Sequence, residues 1–208
     1  MKISIVGTGM VGAALARAWG KRDHDLTLVV RDPDRPATRE LADETGAEVA
    51  PPSPEAVAGA DVVVLALPAS AAADVGAALG GLAGQIVVDP TNPVAEDMSG
   101  LTVGTTSSNA ERIAAALPEA RVVKAFNTIG AHLFDQPSID GDAPSMFIAG
   151  DDADAKLVVE SLAAELGFDP VDVGGLAEAR LLEPMAMLWI RLTYVEQAGT
   201  VGFRLLRQ

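Results

Sequence analysis

Short runs of apolar residues recur along the first 130 positions, and each gives way to a stretch with helical character. Ile3-Ser4-Ile5-Val6 is β-branched and ends at Gly7; Met10 to Lys21 follows, with Val11, Leu15, Ala18 and Trp19 toward one face. Leu26 to Val30 predicts a second strand and Arg35 to Thr45 a second helix. Val62 to Leu65 and Ile86 to Val88 are continuous apolar runs, as expected for strands buried on both faces. Pro68 and Pro90 follow them and cannot continue a central ladder. Ala69 to Leu79 and Asn109 to Leu117 predict further helices, and Arg121 to Ala125 a further strand.

This alternation predicts βαβ units with right-handed crossovers: an α/β fold of Rossmann type, doubly wound around a mostly parallel sheet. The active crevice then lies at the carboxyl ends of the strands, at Gly7, Val30, Leu67, Asp89 and Ala125. After Phe126 the rhythm changes. A polar loop from Asp135 to Pro144 precedes a strand at Met146 to Ala149, a helix at Asp151 to Gly167 and a strand at Val171 to Val173. Aspartates in the first turn of that helix suit its dipole, which outweighs their reading as a metal cluster. From Leu176 onward the pattern predicts a long apolar helix, interrupted at Pro184 and loosened at Gly199 and Gly202. The expected division is a dinucleotide-binding domain over 1–150 and a small, largely helical C-terminal portion over 151–208.

Gly7-Thr8-Gly9-Met10-Val11-Gly12 is GxGxxG between a strand and a helix, the context that gives the motif meaning. Gly7 permits a tight turn, Gly9 lets the backbone approach a pyrophosphate, and Gly12 lets helix and strand pack closely. At the end of the second strand a carboxylate would select NAD. Here Arg31 stands after Val30, with Arg35 and Arg39 at four-residue steps. Arginine suits a 2′-phosphate, so NADP is expected. Asp32 favours NAD, and a solvated helix face accounts for Arg39.

Composition narrows the classes. Of 208 residues, 49% are hydrophobic and only 4% aromatic, which fits parallel strands under small-residue helices. The absence of cysteine excludes disulfides, thiolate metal sites and a cysteine nucleophile. A net charge of −14 argues against nucleic acid. The same charge opposes an anionic dinucleotide, so helix N-termini and a few arginines must act locally against the global field. Met1-Lys2-Ile3-Ser4 runs straight into a strand, so no signal peptide is expected, and Val62 to Ala73 is too short to span a bilayer and contains Pro68. A cytoplasmic location without membrane contact is expected.

The opening IVGTGMVGAALARAW, the loop Asp89-Pro90-Thr91-Asn92-Pro93 and the segment Val123-Lys124-Ala125-Phe126-Asn127-Thr128-Ile129-Gly130 resemble the NADPH:coenzyme F420 oxidoreductase family. Ile148-Ala149-Gly150-Asp151-Asp152 and Leu182-Glu183-Pro184-Met185-Ala186 are also similar, so the resemblance spans nearly the whole chain. It implies hydride transfer between NADP and coenzyme F420, with the C-terminal portion closing over the nicotinamide. It further implies the pyrophosphate on Gly7, Thr8, Gly9, Met10 and Val11, and the 2′-phosphate on Arg31 and Arg35. Leu67 and Pro68 would flank the ribose or nicotinamide with Asn92 close by, while Ala125 and Asn127 line the nicotinamide pocket. Gly130 is a departure, because family members can carry proline there. The N-terminal signature also occurs in NADP-dependent reductases with other acceptors, including domains of membrane metalloreductases.

No catalytic side chain or metal site is expected, because hydride transfer between two bound rings asks mainly for stacking and exclusion of water. His24 reads as a solvated residue of a charged turn, and His132 as a loop histidine that could face the second substrate. A flat apolar pocket is expected between Asn127–His132 and Met185–Trp189. Met185, Met187, Leu188, Trp189 and Tyr194 read as core or as a homodimer contact. Two alternatives stay open. One is a non-catalytic NADP-binding sensor. The other is a hydroxy-acid or imine dehydrogenase, which needs an acid or base over the hydride path. Lys124 is the only lysine near, and its strand position predicts that it points away.

Overall fold

The structure is a computed structural model and describes residues 1–80 and 82–207. Eight strands form one sheet: β1 (Lys2–Val6), β2 (Asp25–Val29), β3 (Glu48–Ala50), β4 (Val62–Leu65), β5 (Ile86–Asp89), β6 (Arg121–Lys124), β7 (Ser145–Gly150) and β8 (Asp169–Gly174). Their order is β3-β2-β1-β4-β5-β6-β7-β8. Neighbours run parallel except β6 and β7, which pair antiparallel through Val123–Gly150 and Lys124–Ala149. The chain winds outward from β1 to β3, returns to β4 and winds the other way. Its topological switch point therefore lies between β1 and β4, where a crevice opens past the strand ends.

The uninterrupted apolar strands are buried because helices cover both faces. Side chains alternate across the pleat. Val62 and Val64 join Ile3, Ile5, Leu26 and Leu28 beneath α1 (Met10–Gly20), α2 (Pro36–Thr45) and α6 (Ala153–Leu166). Val63 and Leu65 point the other way, with Val6, Val29 and Val87, toward α3 (Pro54–Val57), α4 (Ala69–Leu79) and α5 (Asn109–Ala116). Four of the eight aromatics lie on the first face. Trp19, Phe126, Phe134 and Phe168 meet edge to face in series, with centroids 5.6, 5.8 and 6.3 Å apart.

Several elements differ from the sequence expectation. β3 and α3 lie in a stretch with too few apolar residues to show a period. Asp152 caps α6, accepting the Ala155 N–H at 2.7 Å, so capping accounts for that aspartate. Asp151 instead accepts the Leu176 N–H at 2.8 Å, and no metal-binding cluster is found among the described residues. Pro184 does not interrupt α7 (Ala179–Ile190) but sits inside it. A proline in mid-helix costs about 3 kcal/mol. Burial of Leu182, Ala186 and Trp189 on the same helix offsets that. A single π-helical turn, Arg191–Val195, ends the helix, and the remaining residues do not continue it. They fold back along the molecule, where Trp189 donates its indole N–H to the Val201 carbonyl at 2.7 Å. The Ser145 N–H donates to the Phe203 carbonyl at 2.8 Å.

Among the described residues no helix is long and apolar enough to cross a membrane.

Candidate functional site

The first turn after β1 is built around its glycines. Gly7 has φ +95°, a conformation open to glycine, and a β-carbon there would stand 2.5 Å from the Ala66 carbonyl. Gly12 would strike the Gly7 carbonyl with any side chain. Gly9 is different. Its φ is −71° and nothing lies within 4 Å of where its β-carbon would stand, so the protein's own packing does not require glycine. What a side chain would fill is the open approach to the α1 N-terminus. That N-terminus has no side-chain cap and no acidic residue in its first turn, which leaves its N–H groups for an anion.

The turn opens into a cleft of about 530 Å³ at the switch point, lined in part by Gly7, Thr8, Gly9, Arg31, Arg35, Leu67 and Pro68. Seven expected residues therefore meet on one cavity. Met10 and Val11 follow in the first turn of α1, with the Met10 side chain 82% exposed. Arg31 and Arg35 are exposed and form no ion pair among the described residues. Arg39 pairs with Asp34 and is otherwise solvated. Asp32 also lines the cleft, but its carboxylate accepts the Asp34 N–H at 3.2 Å and closes a turn. The two unpaired guanidiniums thus supply local positive charge on a strongly acidic chain.

Asn92, Ala125 and Asn127 do not line that cleft. They form a second group, past the ends of β5 and β6, further along the same edge of the sheet. Asn127 donates from Nδ2 to Asn92 Oδ1 at 3.0 Å and to the Leu182 carbonyl at 3.1 Å. Asn92 Nδ2 returns a bond to the Asn127 carbonyl at 2.9 Å. Two backbone carbonyls therefore fix both amides, and Asn127 Oδ1 is left buried without a donor. The backbone enters this arrangement through Phe126, a buried non-glycine residue at φ +62°. Such strain persists where surroundings enforce it. Here Trp19 and Phe134 hold the ring edge-on, and the Phe126 N–H meets Met146 Sδ at 3.1 Å. Nothing in the composition marked Phe126 as the residue that turns Asn127 toward Asn92.

Three expectations are corrected here. Lys124 does not point away. It is fully buried and donates to Asp89 Oδ2 and Glu183 Oε1 at 2.9 Å each, and to the Thr91 carbonyl at 2.5 Å. The sequence names Glu183, from α7, only within the family-like segment and assigns it no role, because nothing local shows that it faces Lys124. Asn127 to Gly130 do not wall an open flat pocket. All four are buried, and a β-carbon on Gly130 would stand 2.5 Å from His132 Cε1 and 2.9 Å from Trp189 Cζ2. His24 is not solvated: its side chain is 6% exposed, bonds Glu165 Oε2 at 2.8 Å and meets the N-terminal amine at 3.3 Å. His132 is exposed. Of the methionine-rich face, Trp189 is core while Leu188 and Tyr194 are exposed.

Residues 2–93, which carry the glycine turn and the strand ends through Asn92, match the family described as NADP oxidoreductase, coenzyme F420-dependent. The F420-dependent NADP reductase of Methanothermobacter thermautotrophicus is 31% identical over 99% of this chain and 94% of its own. The chain belongs to that family. It is thereby an enzyme, an oxidoreductase that works with NADP(H). A crystal structure from Arthrobacter sp. FB24, provisionally named an F420-dependent NADP reductase, is 34% identical with a TM-score of 0.89, covering 100% of both chains. Metalloreductase STEAP3 of Rattus norvegicus is 32% identical over 89% of this chain, which spans only 36% of that protein.

Proposed function

We propose that this enzyme transfers a hydride between NADP(H) and a second ring cofactor, and that coenzyme F420 is that partner. The observation that carries the cofactor half is the open space at Gly9, facing an uncapped helix N-terminus within a cleft that also holds two unpaired arginines. The residues present fit NADP. Gly7, Thr8, Gly9, Met10 and Val11 would take the pyrophosphate through backbone N–H groups, and Arg31 and Arg35 the 2′-phosphate. Leu67 and Pro68 would pack along the sugar. Adjacent strands are about 4.8 Å apart, so β1 to β6 spans about 14 Å, enough to separate a pyrophosphate at one end from a nicotinamide at the other. The orphaned Asn127 Oδ1 would receive the carboxamide N–H, with Asn92 fixing the amide and Ala125 beside it in the chain.

NADP(H) supplies the hydride at its nicotinamide C4. The chain's residues bind, orient and exclude water, and no acid or base is asked of them. The segment over 151–208 would act as the smaller unit that closes this end, through Leu182 and its neighbours. A homodimer would use the exposed Leu181, Leu188 and Tyr194 of the C-terminal helix, which sedimentation would test.

F420 rests on the names of relatives, and the STEAP3 similarity supports carrying ferric chelates in the same assay. NADPH oxidation should therefore be followed against F420, flavins, quinones and ferric chelates. Deuterium from C4-labelled NADPH should appear in reduced F420 without exchange into water. Rapid turnover with a ferric chelate and none with F420 would replace the named partner.

A further inference from the structure

The cluster around Lys124 is buried charge that the binding scheme above does not use. Its ammonium spends all three donors, on Asp89, Thr91 and Glu183. Two carboxylates face one ammonium, and the second negative charge is met at the α5 N-terminus. There the Glu183 carboxylate accepts the Asn109 N–H at 2.9 and 3.0 Å and the Ala110 N–H at 3.3 Å. Asn109 closes the ring by donating from Nδ2 to Thr91 Oγ1 at 2.7 Å.

Three members of this cluster adjoin residues that form or hold the asparagine pair. Thr91 precedes Asn92, Glu183 follows Leu182, whose carbonyl holds Asn127, and Lys124 starts the run through Ala125 and the strained Phe126 to Asn127. The ends of β5 and β6, the start of α5 and the middle of α7 are thus pinned at one point: Thr91 and Lys124 lie one and three residues from the two amides, and Glu183 one residue from the Leu182 that holds Asn127. A buried ion pair adds little net stability over apolar packing, so directional geometry is what such a cluster contributes.

We propose that Glu183 and Lys124 are positioning residues, which set the Asn92–Asn127 pair for the nicotinamide end of the cofactor. The proposal rests on the NADP reading. It separates two ends of one ligand: 2′,5′-ADP would touch only the cleft at Gly9, Arg31 and Arg35, whereas NADP⁺ would reach both sites.

The test is calorimetry of 2′,5′-ADP and NADP⁺ with wild type and Glu183→Gln, together with kcat on whichever acceptor the wild type reduces. In the variant, NADP⁺ affinity and kcat should each fall about 10–100-fold, the scale of a misplacement near 1 Å, while 2′,5′-ADP binds as in wild type. Glu183→Asp keeps the charge and draws the carboxylate back by one methylene. It should show the same split, and it answers the question if Glu183→Gln does not fold. Equal weakening of both ligands would make the cluster merely structural and overturn the proposal. So would unchanged NADP⁺ affinity and kcat. A wild-type chain that binds neither ligand would sink the cofactor reading itself, and only the wild-type measurement can do that.

Discussion

The carbonyl oxygen of Gly7 occupies the place where Gly12 would carry a β-carbon, whereas the same position on Gly9 meets only open space. The two glycines of one motif therefore fail differently. Gly12→Val must push α1 off β1, and overpacking of this kind costs about 1–3 kcal/mol or more. Gly9→Val should keep the wild-type melting temperature and lose NADP⁺ binding. Thermal melts paired with calorimetry read both, and normal NADP⁺ binding by Gly9→Val would remove the cofactor from this turn.

How much of this was legible beforehand follows from what each feature depends on. The glycine turn and the apolar strands are local patterns, so β1, α1, β4 and β5 stood out from short windows. So did the cleft residues Gly7, Thr8, Gly9, Arg31 and Arg35, which are tied to those strand ends. The amide pair Asn92–Asn127 spans 35 positions and Lys124–Glu183 spans 59, and no periodicity links them. A lysine in the pattern of β6 reads as an edge residue until α7 is known to bring a carboxylate over it. Pro184 misled for a related reason: the penalty of a mid-helix proline is local, while the burial that outweighs it is not.

Arg31 and Arg35 should decide the choice between dinucleotides. Neither forms an ion pair among the described residues, so replacement should leave stability within about 0.5 kcal/mol. NADP⁺ should bind the wild type more tightly than NAD⁺ by about 1.5–3 kcal/mol, the range for hydrogen bonds to charged groups. The double alanine variant should bind both equally, with NAD⁺ affinity unchanged. Because the site is exposed, the preference should also narrow as salt rises. Equal affinities in the wild type would refute the assignment.

Acid should loosen the contact between α5 and α7. The hydrogen bonds from Arg180, at 2.5 and 2.9 Å, hold the Glu111 carboxyl below its ordinary value of 4.5. A carboxylate whose folded value is lowered adds stability above its unfolded value, and that share is lost as pH falls through the folded value. Glu111→Gln should therefore melt below wild type at pH 7, with the gap closing below about pH 4. Both side chains are partly exposed, so the gap should be modest, about 1 kcal/mol or less. Parallel melting curves for the two proteins across that range would contradict this.

The backbone at Gly130 would accept a proline, with φ at −70°. What forbids it is the space above the residue. A β-carbon would lie 2.5 Å from His132 Cε1, 2.7 Å from His132 Nδ1 and 2.9 Å from Trp189 Cζ2. His132 is exposed and can swing away, but Trp189 is buried and held by the Val201 carbonyl. Gly130→Ala should therefore cost about 1–3 kcal/mol, as overpacking against a fixed ring does. Adding His132→Ala should recover only part of that loss, because the tryptophan contact remains. Full recovery in the double variant, measured by denaturant midpoint, would mean that His132 alone fills the space and that Trp189 yields freely.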